Sequence, residues 1–209
     1  AGGGGFGFQQ RSGAGYLDKS GAGTLTLNGA NAHTGGTRLG GGTLVLGTNT
    51  ALGLGDLAVY GAATLQAVGA TSIGNNIGLG ATLALANTGN LALTGNLTGA
   101  GTLVKNGAGI LTLSGANSHA ATQINAGGLI VGNNSALGSG ALTVNGAASL
   151  ASTASMALQN AIVLNNTLTL NGASDLTLNG LLSGASGSLV KSGAGALTLR
   201  ARSGPGEEV

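Results

Sequence analysis

Apolar residues alternate with small or polar residues in short runs along the chain, and most runs end at glycine or asparagine. Examples are TLTL at Thr24–Leu27, TLVL at Thr43–Leu46 and TLAL at Thr82–Leu85. A period of two with many Thr, Val and Leu residues is typical of half-buried β-strands. Gly and Asn supply turns between them. No stretch has the 3.6-residue apolar period of a helix. The pattern therefore predicts an all-β chain of short strands.

A longer phrase recurs at a fixed distance. It reads LDKSGAGTLTLNGANAH from Leu17, LVKNGAGILTLSGANSH from Leu103 and LVKSGAGALTLR from Leu189, so that its lysines are 86 residues apart (105 − 19 = 191 − 105 = 86). A constant period marks a repeat protein whose units bury their apolar faces against their neighbours. Short strands with frequent turns could also form a sandwich or a barrel. The strict period favours a solenoid, because a sandwich has loops of diverse length.

We therefore predict a single-stranded parallel β-solenoid of about nine to ten coils, with about 20 residues in each coil and roughly four coils in each 86-residue unit. Residues 17–199 are expected to form the solenoid, as two units and the start of a third. Residues 1–16 form a Gly-rich N-terminal segment that acts as a cap or a docking arm, and residues 200–209 form a polar C-terminal tail. At about 4.8 Å per coil, the rod is about 45 Å long.

The core of such a rod is a ladder of aliphatic side chains on the inward face of each strand. Burial of one leucine is worth roughly 1.5–3 kcal/mol, so the chain needs no disulfide, metal or aromatic core. A slip of one residue would turn every leucine to the wrong face. The predicted ladder comprises Leu25, Leu27, Leu44, Leu46, Leu111, Leu113, Leu168 and Leu170.

Composition narrows the classes of function. The chain has 44 Gly, 1 Pro and no Cys, with 6% charged and 42% hydrophobic residues. Glycine without a triplet period excludes collagen, and the low charge argues against disorder. No apolar run is long enough for a transmembrane helix. The net charge of +2 comes from scattered cations without an aromatic platform, which argues against binding of nucleic acid. The lack of Cys fits a secreted protein without disulfides, and a cytosolic one equally.

Candidate catalytic and metal-binding residues are few. His33 and His119 occupy equivalent places, and four coils would hold them about 19 Å apart, too far for one ion with ligands at about 2.1 Å. The acids Asp18, Asp56 and Asp175 are too dispersed in sequence to suggest a carboxylate pair. A Ser-His-Asp site stays open, because such triads are spatial. The Gly-rich strings lack the Gly-Lys-Ser/Thr ending of a phosphate loop. We predict no enzyme, no cofactor and no metal.

Asparagines fall at predicted turns, where two interpretations remain open. They could supply simple turn chemistry, or their side chains could stack into hydrogen-bonded ladders between coils. The residues concerned are Asn31, Asn117, Asn75, Asn76, Asn133, Asn134, Asn165 and Asn166.

The N-terminal segment holds three of the four aromatic residues, Phe6, Phe8 and Tyr16. Phe6 and Phe8 alternate with glycine and would project from one face of an extended segment. The segment could cap the first coil, as solenoids require. Alternatively, its aromatic residues are assembly contacts that dock on the next molecule.

The phrases GAGTLTLNGANAHTGGT (21–37), GGTLVLG (41–47) and LAVYGAATL (57–65), with their second copies, resemble the passenger-associated transport repeat of bacterial autotransporters. The resemblance spans about residues 17–199. It implies a right-handed parallel β-helix on the outside of a Gram-negative cell. The chain departs from the family at His33 and His119, where a tyrosine is usual, and at residues 120–122, which replace Thr-Gly-Gly. Its short ending at residues 200–209 leads us to expect a cleaved passenger, a fragment or a relative with another use.

The sequence therefore predicts a secreted or surface-exposed, non-enzymatic β-solenoid that serves as a passenger-like stalk or adhesin. The alternative is the subunit of a homopolymeric filament stacked head to tail. Expected partners are copies of the chain itself or a ligand on a host or cell surface.

Overall fold

The computed structural model describes residues 6–8 and 12–200. In this part the chain forms 27 short strands and no helix, and every paired strand runs parallel to its neighbours. Partners lie about one coil apart in sequence, as where Leu83 of one coil pairs with Leu103 of the next. The predicted parallel β-solenoid is thus confirmed. Its strands stack on three faces, which the chain visits in a fixed order.

Face 1 is a sheet of ten strands, so the chain makes nine turns between its first and last strand. Its strands are β1 (Phe6–Phe8), β4 (Thr24–Leu27), β7 (Thr43–Leu46), β9 (Ala63–Ala67), β12 (Leu83–Leu85), β15 (Thr102–Lys105), β17 (Ala121–Ile124), β19 (Leu142–Val144), β22 (Ile162–Leu164) and β25 (Leu182–Ser183).

Face 2 begins with a two-stranded sheet and continues with a seven-stranded sheet. The first holds β2 (Ser12–Gly13) and β5 (Ala32–His33). The second holds β10 (Thr71–Ile73), β13 (Leu91–Leu93), β16 (Ile110–Leu113), β18 (Gly127–Val131), β20 (Ala148–Ser152), β23 (Leu168–Leu170) and β26 (Leu189–Lys191).

Face 3 consists of a five-stranded and a three-stranded sheet. The first holds β3 (Leu17–Lys19), β6 (Thr37–Leu39), β8 (Leu57–Val59), β11 (Ile77–Leu79) and β14 (Leu97–Thr98). The second holds β21 (Met156–Leu158), β24 (Leu176–Leu178) and β27 (Leu197–Leu199).

Three strand positions are occupied by other structure, two by turns and one by an extended segment. The turn at residues 50–53 occupies the face 2 position between β5 and β10, and the turn at residues 135–138 occupies a face 3 position. Backbone hydrogen bonds close both turns, such as Gly53 N to Thr50 O at 3.1 Å and Gly138 N to Ser135 O at 3.0 Å. The segment 116–118 fills the remaining face 3 position in an extended, non-strand form.

The core is a continuous column of aliphatic side chains inside the three faces. Alternate residues of most strands are buried, as the period of two requires. The eight leucines named from the sequence are all buried there: Leu25, Leu27, Leu44, Leu46, Leu111, Leu113, Leu168 and Leu170.

The 86-residue unit does not return to the same face. Lys19 lies on face 3, Lys105 on face 1 and Lys191 on face 2. Between Lys19 and Lys105 the chain passes through twelve further strands and one turn that stands in for a strand, thirteen positions in all. Three positions make a coil, so one unit makes four and one-third coils. The sequence estimate of roughly four coils was therefore too low by a third of a coil, and each unit is rotated by one face.

The N-terminal segment is partly described. β1 pairs with β4 on face 1, and β2 pairs with β5 on face 2. The backbone of these two strands therefore adds a coil to the rod. The side chains of Phe6 and Phe8, and the tail after Arg200, lie outside the described residues. Over the described part of the chain, no helix has the length and apolar character needed to cross a membrane.

Candidate functional site

Each copy of the phrase carries a lysine on the inward side of its strand. Lys105 is fully buried, because it follows the buried Leu103 at a spacing of two. Its ammonium donates hydrogen bonds to the carbonyl oxygens of Gly107 and of Ala126, the latter at 3.2 Å. Burial lowers the pKa of Lys105 from 10.5 to about 8. The side chain thus joins the turn of its own coil to the turn of the next.

Lys19 makes the same kind of contact in the first copy. Its ammonium donates to the carbonyl oxygens of Gly21 at 2.8 Å and of Gly41 at 2.9 Å. Burial lowers the pKa of Lys19 as well. Lys191, in the last coil, is exposed and donates to Gly193 O at 2.8 Å. The repeated lysine is therefore a structural clamp on glycine-rich turns wherever a following coil covers it.

His33 belongs to a buried polar network at the corner between faces 2 and 3. Its Nε2 lies 3.1 Å from the hydroxyl of Thr37, and that hydroxyl donates to Leu52 O at 3.1 Å. Because the Thr37 proton is used in this way, the hydroxyl accepts from Nε2 of His33. The ring is therefore the Nε2–H tautomer, held in place by the next coil.

His119 repeats the network at the corner between faces 3 and 1. Its Nε2 lies 2.8 Å from the hydroxyl of Thr122, which donates to Leu137 O at 3.0 Å. Its Nδ1 has no hydrogen-bond partner among the described residues. Burial lowers the pKa of His119 from 6.5 to about 4. The imidazole is thus neutral at pH 7 and fills the core corner as a polar packing residue.

The two histidines are not brought together. Thirteen strand positions separate them, which corresponds to about 21 Å along the axis, and they face different corners of the rod. Among the described residues no group of three or more His, Cys, Asp or Glu side chains could hold a metal ion. Nor are the acids paired. Asp18 accepts from the Tyr60 hydroxyl, Asp56 from the Asn76 amide, and Asp175 from a backbone N–H of the next coil.

Two asparagines cap the turns that lie against the histidines. The amide of Asn75 donates to two carbonyls of the turn at 53–55, at 3.0 and 2.7 Å. The amide of Asn160 does the same for the turn at 138–140, at 2.9 and 2.6 Å. Asn31 and Asn117 are buried, and each donates at 2.6 Å to a carbonyl in the turn of the next coil. Asn31, Asn75 and Asn117 thus follow the interpretation of turn chemistry, extended across coils, and Asn160, which was not singled out from the sequence, does the same.

A side-chain ladder also forms, on the surface after the strands of face 1. Asn125 donates to Asn106 at 2.6 Å, Asn145 to Asn125 at 3.0 Å, and Asn165 to Asn145 at 3.0 Å. Of these, only Asn165 belongs to the residues singled out from the sequence. The other three follow strands at intervals of 19 or 20 residues, and this spacing is the signal that identifies them.

The segments that contain the buried lysines, the histidines and the glycine-rich turns also match a known protein family. The model for the passenger-associated-transport-repeat matches residues 17–46 and 103–131. The chain therefore matches this repeat twice. The matches are shorter than the resemblance over 17–199 suggested from the sequence. No curated protein matches the chain. No solved structure matches it either.

The two segments that match the passenger-associated-transport-repeat begin on different faces. The first begins on face 3 with Lys19 and the second on face 1 with Lys105, because one unit spans four and one-third coils. The segment between the histidine and its threonine partner is also one residue shorter in the second repeat. Thr122 follows His119 by three residues, whereas Thr37 follows His33 by four. Together, the repeats and the solenoid fit an autotransporter-passenger-like structural domain.

Tyr16, predicted as an assembly contact, is 54% exposed. The guanidinium carbon of Arg38 lies 5.5 Å from its ring centroid and 5.4 Å from that of Tyr60. Sequence reasoning missed this cluster, because its residues meet only when three successive coils stack.

Proposed function

We propose that the protein is a non-enzymatic rod on the outer surface of a Gram-negative bacterium, where it serves as a passenger-like stalk or adhesin. The observation that supports it is the pair of transport repeats built into one uninterrupted column of buried aliphatic residues. The buried polar residues support a structural role too, since Lys105 and the threonines of the two histidine networks donate hydrogen bonds to backbone carbonyls of turns.

Surface display tests this function. The chain would be placed between an N-terminal epitope and an outer-membrane anchor and expressed in a Gram-negative host. We expect antibody to label the epitope on intact cells, and the exported rod to resist protease. The variant Leu168→Asp, which buries a charge in the core, should lose both properties. Retention of a folded wild-type chain inside the cell would contradict the proposal.

A second candidate is a head-to-tail filament, supported by the last described coil. No described strand covers the outer edges of β25, β26 and β27, and unprotected strand edges recruit other strands. Val190 and Leu199 are 43% and 50% exposed there. The first three strands, β1 to β3, lie on faces 1, 2 and 3 in the same order as β25 to β27. A second copy could thus stack without rotation, and such contacts do not close.

Electron microscopy of the 209-residue chain tests this candidate. Filaments should repeat every ten coils, about 48 Å. The variant Leu199→Lys should abolish them, and so should deletion of residues 1–16 if Phe6 and Phe8 dock on the neighbour. Single rods at every concentration tested would rule the filament out without affecting the stalk.

A further inference from the structure

The outer side of face 3 carries a cluster of four functional side chains across three successive coils. Tyr16 and Asp18 come from the coil of β3, Arg38 from β6, and Tyr60 follows β8. Arg38 lies between the two tyrosine rings, at 5.5 and 5.4 Å from their centroids. The Tyr60 hydroxyl donates to Oδ1 of Asp18 at 3.0 Å. The Tyr60 side chain thereby reaches across the coil of β6 and joins the coil of β8 to the coil of β3.

The cluster is preorganised by the backbone beneath it. Tyr60 lies over Gly40, where a Cβ atom would come within 2.3 Å of the tyrosine ring. Glycine therefore leaves the space that the Tyr60 ring occupies. With a ring on each side, the Arg38 guanidinium loses little further freedom when it binds a ligand.

The cluster keeps unused hydrogen-bonding capacity. Arg38 makes no hydrogen bond within the described part of the chain, and its one ion pair, Nε to Oδ2 of Asp18, is long at 3.9 Å. The side chains of Arg38 and Asp18 are 51% and 36% exposed, and the tyrosines are about half exposed. An arginine fork, a carboxylate and two phenol rings are thus presented together on a surface with few other charges.

The fold does not require these side chains. The second repeat builds the same inward residues and the same histidine network, yet it carries Thr102, Val104, Gln123 and Asn145 at the equivalent positions. An exposed cation–π contact is worth about 0.5–1 kcal/mol, and an exposed ion pair about 0.2–1 kcal/mol. These contacts stabilise the fold only slightly, so stability alone does not explain why the only two tyrosines of the chain lie in this cluster.

We propose that Tyr16, Asp18, Arg38 and Tyr60 form a lateral binding site for a saccharide that carries a carboxylate. The guanidinium fork of Arg38 matches a carboxylate with two parallel hydrogen bonds. The outer faces of the tyrosines offer flat apolar surfaces to the C–H groups of a sugar ring. Asp18 and the phenol groups bind sugar hydroxyls. This site goes beyond the structural role of the rod and does not depend on it.

Binding would be measured by titration of the full chain with two acidic probes and their neutral counterparts. The probes are 3′-sialyllactose against lactose, and trigalacturonate against maltotriose. We expect one acidic probe to bind and its neutral counterpart to bind about tenfold more weakly or not at all. The probe that binds distinguishes a sialic acid from a uronic acid as the source of the carboxylate. Chemical shift changes should be confined to the coils of β3, β6 and β8.

The second repeat supplies variants that the fold tolerates. Arg38→Gln and Tyr60→Asn each install the residue found at the equivalent position of the second repeat, and each should weaken binding about tenfold or more. Lys191→Gln removes the same charge from another exposed site and should leave binding unchanged. The proposal is overturned if neither acidic probe binds, if neutral sugars bind equally well, or if Lys191→Gln weakens binding as much as Arg38→Gln.

Discussion

Lys105 shows at the scale of one residue how a charged side chain becomes part of an apolar core. In the sequence, the three lysines mark the period of 86 residues. The order Leu103–Val104–Lys105 already placed the lysine on the inward side with Leu103. What the sequence could not supply was the acceptor in the next coil, Ala126 O at 3.2 Å, because that contact depends on the length of the coil.

Lys105→Leu is expected to destabilise the rod. It leaves the half-buried carbonyls of Gly107 and Ala126 without the lysine donor, which costs up to about 1–3 kcal/mol for each such group. Chemical denaturation at pH 7 measures the change. Lys191→Leu is the matched control, since the same phrase is exposed in the last coil and should lose little. Equal losses in the two variants would show that burial of the lysine does not matter.

The same lysine predicts a rise in stability at alkaline pH. Its pKa is about 8 in the folded chain and 10.5 as the unperturbed value. Between these values the unfolded chain binds more protons, so the free energy of unfolding increases as pH rises from 8 to 10. Denaturation of wild type and Lys105→Leu across this range should show a larger increase in the wild type, because the variant keeps only the contribution of Lys19, whose pKa is also lowered by burial.

His119 predicts a loss of stability in acid. Its pKa is about 4 in the folded chain and 6.5 as the unperturbed value, so the unfolded chain binds more protons between pH 6.5 and 4. The free energy of unfolding should therefore fall as pH falls through this window. Between pH 7 and 5 the wild type should lose about 2 kcal/mol more than His119→Gln. Parallel pH profiles for the two proteins would contradict the assignment of a buried neutral imidazole.

At the scale of elements, the strands were predictable and some turns were not. The period-two words such as TLTL gave strands, since alternation fixes which side chains turn inward. The words NTALG and NNSALG have a similar apolar content but form turns that occupy strand positions. Their leucines, Leu52 and Leu137, are fully buried nonetheless. Local alternation could not separate these cases. Each turn offers a carbonyl to a threonine hydroxyl, Leu52 O to Thr37 and Leu137 O to Thr122, and such contacts are not visible in the alternation of residues along one strand.

Two glycines with nearly the same φ separate the cost of backbone strain from the cost of close packing. Gly138 has φ +78° and lies where a Cβ atom would come within 2.3 Å of His119 O, whereas Gly69 has φ +76° and open space around it. Gly69→Ala should cost only the left-handed conformation, about 1–2 kcal/mol. Gly138→Ala should cost a further 1–3 kcal/mol or so for overpacking. Denaturant midpoints measure both, and equal costs would mean that the turn gives way without disturbing the histidine.

At the scale of the whole molecule, the period of the sequence and the period of the rod differ. The sequence repeats every 86 residues, and the rod repeats every three strand positions. The value of about 20 residues per coil was correct, but the fraction of a coil left over was not visible without the positions of the turns. Because each unit is rotated by one face, Lys19, Lys105 and Lys191 appear on three different sides. A surface feature of one repeat, such as the Tyr16–Arg38–Tyr60 cluster, therefore points in another direction from its counterpart in the next.

This geometry predicts that the rod can be lengthened by one whole unit. Duplication of residues 106–191 adds one unit. Each coil then stacks on a coil that is its neighbour in the natural chain, or on the equivalent of that neighbour in another repeat. All later coils are rotated by one face. The longer chain should unfold cooperatively and be longer by four and one-third coils, about 21 Å, as measured by small-angle scattering. A matched duplication that lacks Thr112 in the added copy turns Leu113 outward and should lose cooperativity. Failure of the intact duplication to fold would show that the three faces are not interchangeable, since rotation by one face is the only new demand that it makes.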